Sequence, residues 1–269
     1  MSTTAITLPA ARSNSFDRTL RIFLTETRYA IQLALRTRAY SFSAIGFPIM
    51  FYCLFGLVMN RNETMSAGVS VAKYLLGSYA VFGSLGAAIF GIGIGVATDR
   101  SAGWLELKQA SPMPPLAYVF SKCVMAVVFS LIIVSSLTLL GIAFGHVSLT
   151  FSEFAHIALL AGVAAIPFSC LGLAMAFLVP PAAAGGIANM IYLPMSFLSG
   201  LWMPLRFLPH ILQTIAPIFP TYHLAQLMYA SLGAPSVGTA ATHWLSLVGF
   251  TLIMLGVSWM AYRRLEQNS

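Results

Sequence analysis

Six stretches of this chain, roughly 41–59, 74–97, 118–144, 154–179, 183–203 and 243–262, contain no Asp, Glu, Lys or Arg apart from Lys122, near the start of the third. A helix needs about 20 apolar residues to cross a hydrocarbon core about 30 Å thick. The runs are too long and too uniform for barrel strands, and only helices or closed barrels satisfy their backbone hydrogen bonds inside lipid. Charged residues make up 8% of the 269, against roughly 25% in a soluble domain, so the chain lacks the polar surface to cover itself in water. The expected fold is an all-α integral membrane protein of six transmembrane helices.

Orientation follows from the basic residues. Arg12, Arg18, Arg21, Arg28, Arg36, Arg38, Arg100, Lys108, Lys122, Arg263 and Arg264 fall on one side, and Arg61, Lys73 and Arg206 on the other. Cytoplasmic loops carry the excess of Lys and Arg, so both termini and the 98–117 loop are expected in the cytoplasm. The net charge of +7 then reflects topology rather than a nucleic-acid surface. No apolar signal-peptide core precedes Phe42, so the internal helices are expected to direct insertion.

Local chemistry marks the boundaries. Thr150 and Glu153 form a capping box at the fourth span, and Pro114-Pro115 suits the start of the third. The GxxxG pairs at 91–95 and 141–145 lie in apolar runs and follow no strand, so they read as close helix packing rather than nucleotide binding. Cys53, Cys123 and Cys170 lack metal-type spacing and read as free buried thiols. His146, His156, His210, His223 and His243 match no zinc pattern and read as interfacial polar residues.

Two segments are not simple spans. Residues 1–15 form a tail, and 16–39 an amphipathic helix: Phe16, Leu20, Phe23, Thr27, Ile31 and Ala34 recur at helical steps, with Arg18, Arg21 and Arg28 on other faces. Such a helix is expected in the membrane interface, as a plain anchor or as a docking surface. Residues 40–269 form the membrane domain. Between the last two spans, prolines at 204, 209, 217 and 220 divide an apolar stretch into short re-entrant or interfacial helices on the outer side. Two turns are expected from Pro209 to Ala216, then a helix capped by Thr221 and ending near Gly233.

The chain carries no phosphate-loop motif and no nucleophile beside a base, so it is read as no enzyme by itself. Its spans lack the ionisable groups that ion-coupled carriers place at depth, which disfavours a self-powered transporter.

These features together resemble the permease subunits of type-2 ABC exporters, a bacterial family. The specific pieces are "DRSAGWLELKQASPMPP" (99–115) and "FLSGLWMPLRFLPHILQTIAPIFPTYHLAQLM" (197–228). The resemblance implies a multi-pass protein of the bacterial inner membrane that works as a homodimer, or with a similar permease, and pairs with separate ABC ATPase subunits. ATP and magnesium would be bound by those partners, leaving no cofactor in this chain. The resemblance places Asp99, Arg100, Gly103, Trp104, Glu106 and Lys108 in the loop and coupling helix that dock on the ATPase; the bland alternative is a solvated connector with an interfacial Trp. It also implies export of a hydrophobic or amphipathic cargo such as a drug, antibiotic or lipid-like molecule. Phe51, Phe55, Phe82, Tyr192 and Phe197 are candidate path residues, though core packing or lipid contact also explains them. A polysaccharide or glycolipid exporter subunit, an ion-coupled carrier and a non-transporting scaffold remain the alternatives.

Overall fold

The computed structural model describes residues 15–60, 63–65, 68–111 and 113–268. These residues are helical apart from turns, loops and one isolated antiparallel bridge between Thr64 and Ser70. In chain order the helices are α1 (Ser15–Arg36), α2 (Arg38–Val58), α3 (Val71–Ser101), α4 (Trp104–Ala110), α5 (Pro115–Gly145), α6 (Phe151–Leu178), α7 (Ala184–Leu198), α8 (His210–Ile215), α9 (Pro220–Ser231) and α10 (Ala240–Asn268). The 1–14 part of the expected tail, Arg12, Arg61 and Pro112 lie outside the described residues.

Five of these helices, α2, α3, α5, α6 and α10, are long and apolar enough to cross a membrane. The fifth sequence window departs from the expectation. It forms α7, whose 15 residues rise about 22 Å at ~1.5 Å each, short of the ~30 Å core. Its ends are fixed by Pro180-Pro181 before it and by a turn at Ser199-Gly200 after it, where Gly200 has a φ of 74°.

The layers follow from burial. Helix α3 is apolar on every side, and 83% of its apolar window is buried, so it forms the centre. Around it pack α5, α6 and α9, with Leu76, Leu85, Ile89 and Ile92 of α3 meeting a core that includes Phe129, Ile133, Leu137 and Phe168. Helices α2 and α10, 22% and 17% buried, lie at the periphery with Phe47, Met50, Leu252 and Trp259 facing outward. Three π-helical turns interrupt the regular winding: Phe42–Gly46 and Tyr52–Val58 in α2, and Ile89–Ile94 in α3.

The capping box closes as the sequence predicts: the Thr150 hydroxyl accepts from the Glu153 amide at 3.2 Å, and the Glu153 carboxylate accepts from the Thr150 amide at 2.8 Å. Glu153 also takes Lys73 at 2.5 Å, joining the starts of α3 and α6. The GxxxG glycines admit close neighbours. A Cβ on Gly141 would lie 2.6 Å from the Tyr52 hydroxyl. Gly141→Val is therefore expected to lower stability by about 1–3 kcal/mol through overpacking, seen as a lower thermal midpoint in mild detergent.

Candidate functional site

The charged element between the second and third apolar runs is built by a left-handed turn. Helix α3 ends at Ser101, and Gly103 takes a φ of 72°, a conformation that side chains disfavour. The chain reverses into α4, whose Leu107 amide bonds the Gly103 carbonyl at 3.2 Å. Ser111 then closes the helix onto the Lys108 carbonyl at 2.7 Å, and α5 starts at Pro115 with Pro114 before it.

Its charges turn inward. One Asp99 oxygen, Oδ2, accepts from the Tyr118 hydroxyl at 2.6 Å and from the Lys122 ammonium at 3.1 Å. Lys122, only 7% exposed, is thus paired within the protein instead of reaching for water as its place near a span end suggests. The Arg100 guanidinium donates to the carbonyls of Phe177 and Val179, at 3.2 and 2.8 Å. It thereby satisfies orphan acceptors at the end of α6, where the helix dipole also favours a cation. Lys108 pairs with Glu26 of α1 and sits 4.6 Å over the Tyr118 ring. These contacts brace α1, α3, α4, α5 and the end of α6 against one another.

Two large apolar side chains of α4 remain at the surface among those described. Trp104 is 56% exposed and Leu107 63%, and their spacing of three puts them on one helical face. Of the six residues expected to dock, Trp104 is the one that presents itself outward most plainly. Asp99, Arg100 and Lys108 make the internal contacts above, Gly103 makes the turn, and the Glu106 side chain lies outside the described residues. Leu107 escaped the sequence reading, although its i,i+3 relation to Trp104 was there to find.

Helix α1 flanks this element. Ala30 and Ala34 are buried, and Phe23 meets Phe120 of α5 edge-on at 5.4 Å between centroids. Arg18, Arg21 and Arg28 are all exposed on the other side. Between α4 and the last span lies an apolar cavity of about 650 Å³, lined by Leu105 and Lys108 with Leu116, Phe177, Leu255 and Trp259 among others.

Deeper in the bundle, the five aromatic residues that the sequence scatters over separate windows come together. Phe51 lies 6.1 Å from Phe55, 5.9 Å from Phe82 and 5.2 Å from Trp202. Tyr192 packs on Phe82 at 4.6 Å, and Phe197 meets Trp202 at 6.1 Å. Trp202 and Tyr79, which stacks on Phe51 at 6.4 Å, complete the cluster where α2, α3 and α7 meet. The π-helical turn Tyr52–Val58 adjoins Phe51 and carries Phe55; such turns recur at functional sites.

At the opposite end, the prolines act as expected: a 3-10 turn Leu205–Phe207, then α8, a second 3-10 turn Ala216–Ile218, then α9. Thr221 does not cap α9, which begins at Pro220. It is fully buried and instead bonds Ser199 across to the end of α7. The three cysteines are free, and among the described residues no three His, Cys, Asp or Glu side chains group as a metal site.

Comparison with known proteins agrees with this architecture. The protein named "Putative transport permease YvfS" of Bacillus subtilis (strain 168) is 28% identical over 189 residues, which cover 70% of this chain and 76% of that one. A family model described as ABC-2 type transporter matches residues 21–233, from the first turns of α1 through the end of α9. That stretch is most of the chain, and it takes in the amphipathic helix, the braced α4 and the aromatic cluster, so the chain belongs to the ABC-2 type transporter family.

Proposed function

We propose that this chain is the membrane subunit of an ATP-driven exporter of the bacterial inner membrane, powered by a separate ATPase that docks on α4. The single observation that carries the reading is a contrast at α4: Trp104 and Leu107 face outward, while Asp99, Arg100 and Lys108 are spent bracing the neighbouring helices. A partner that pushes on this pair moves α3, α5 and the end of α6 together, as packed elements move in rigid-body transitions. The exposed arginines of α1 flank the same surface and suit acidic groups of the partner or anionic lipid.

The basic excess at this end supports a cytoplasmic placement for it and for both termini. The cargo is hydrophobic or amphipathic, because the apolar runs carry no charge but Lys122, which is paired internally, and the Phe51 cluster offers aromatic faces at the junction of α2, α3 and α7. The outward apolar face of α2 suits a second copy, giving a homodimer with a path between protomers.

The test is reconstitution with the cognate ATPase in proteoliposomes and measurement of a hydrophobic dye's movement. Movement should require ATP and vanish when the ATPase is inactivated. Movement that persists with an inactive ATPase and follows an ion gradient would instead indicate a secondary carrier.

A further inference from the structure

Two imidazoles meet where α9 is held against the first turn of α10. His223 Nδ1 lies 2.9 Å from His243 Nδ1. On their far sides, His223 Nε2 lies 2.8 Å from the Pro217 carbonyl and His243 Nε2 2.9 Å from the Val237 carbonyl. Both residues are buried, 7% and 5% exposed.

A carbonyl only accepts, so each Nε2 must carry a hydrogen. A neutral imidazole has one N–H, which leaves both Nδ1 atoms bare. Two bare nitrogens at 2.9 Å repel, whereas one proton between them makes an ordinary N–H···N hydrogen bond. A second proton would set two cations against each other at the same separation. The geometry therefore has room for one proton.

The proton would complete a closed set of contacts. Pro217 belongs to the 3-10 turn before α9, His223 to α9, Val237 to the loop after it and His243 to α10. The Val237 amide is held as well, donating to Gln226 Oε1 of α9 at 2.7 Å. A metal ion fits less well, since no third ligating side chain joins the pair among the described residues.

We propose that His223 and His243 hold a single shared proton, and that this proton clasps α9 and its following loop to the start of the last span. The clasp makes this end of the protein responsive to pH, whatever cargo or partner the chain serves.

The titratable side chains on the elements packed against α9 and α10 are Tyr222 and Tyr229 on α9, Lys73, Tyr74, Tyr79 and, at its far end, Asp99 and Arg100 on α3, and Glu153, His156 and Cys170 on α6. Tyr262, Arg263 and Arg264 sit at the far end of α10, and Arg206 precedes α8. The Tyr222 ring lies 5.4 and 6.2 Å from the two imidazoles but titrates far above neutrality. Lys73 and Glu153 pair with each other, leaving His156, exposed on α6, as the other imidazole to control for.

The sign has two limbs. Separated histidines titrate near pH ~6.5. Well above that, the clasped form holds a proton that the open form lacks, so falling pH favours the clasp. Well below it, the open form holds two protons and the clasp one, so falling pH opposes the clasp. The optimum lies where both forms hold one proton on average, near the pH of about 6.5 at which separated histidines titrate.

The test is hydrogen–deuterium exchange of segment 233–239 in the full chain in nanodiscs, with the intrinsic pH dependence divided out. Protection should peak at about pH 6.5 and fall roughly tenfold by about pH 8, the size expected for one charge-assisted hydrogen bond. His223→Gln and His243→Gln should flatten the profile, while His156→Gln should leave the peak in place. A monotonic profile shared by wild type and both clasp variants would overturn the proposal. Protection that rises with added zinc and disappears with chelator would overturn it in favour of a metal. Should the variants fold poorly, 15N spectra of histidine-labelled wild type decide: one proton on the two Nδ1 atoms supports the clasp, and two bare Nδ1 atoms at the optimum contradict it.

Discussion

Trp104→Ala is expected to weaken association with the ATPase by roughly thirtyfold, about 2 kcal/mol, the loss typical of a central aromatic anchor. The indole lies largely exposed on α4 with Leu107 one turn away, and neither side chain belongs to a membrane span. Removing it takes away contact area without leaving a buried group unsatisfied, so insertion and thermal stability should hardly change. Leu107→Ala should cost less, and Trp104→Phe should restore part of the binding because it keeps an aromatic surface. Titration of the ATPase against the chain in nanodiscs checks all three. Equal affinity for wild type and Trp104→Ala would remove α4 from the interface.

Asp99→Ala is expected to act on the fold itself, lowering stability by about 3 kcal/mol. Its carboxylate is the partner of the buried Lys122 ammonium, and removing one member of a buried pair strands the other charge. It also leaves the Tyr118 hydroxyl without its acceptor. Lys122→Met should be milder, because the carboxylate keeps Tyr118 and is the more exposed partner. In the double variant most of the loss should be recovered, giving a coupling energy of about 1–3 kcal/mol in a double-mutant cycle. Denaturation in mild detergent measures it. Additive losses would mean that the pair does not act as a unit. The two variants also separate two roles: Trp104→Ala should lose the partner but keep the fold, and Asp99→Ala the reverse for molecules that remain folded.

These roles differ in how far they can be read from sequence. Hydropathy marks α3, α5, α6 and α10 directly, because a charge-free run of more than twenty residues has few other uses. The same signal overstates α7, since hydropathy records composition while Pro180, Pro181 and Gly200 decide where a helix stops. The Thr150–Glu153 box was legible because both partners lie within one helical turn. Asp99 and Arg100 were not, because their partners lie 19 to 79 residues away and a charge at a span end looks the same whether it meets solvent, another protein or Lys122. The aromatic cluster depends likewise on the packing of α2, α3 and α7, which spacing along the chain does not encode. Thr221 shows the converse: its residue type suits a cap, yet Pro220 begins α9 one position earlier and the hydroxyl turns to Ser199. His223 and His243, 20 residues apart, become one site only when α9 folds back on α10.

The central claim is that a separate ATPase powers this membrane subunit through α4. The most direct test is to extract the tagged chain from its native membrane into nanodiscs, cross-link briefly, and identify what accompanies it by mass spectrometry. The account predicts a soluble protein bearing a phosphate-loop motif in near-equal amount, cross-linked to α4 or α1 and depleted by Trp104→Ala. A chain that emerges alone after cross-linking, or whose partner is bound equally by wild type and Trp104→Ala, would contradict it.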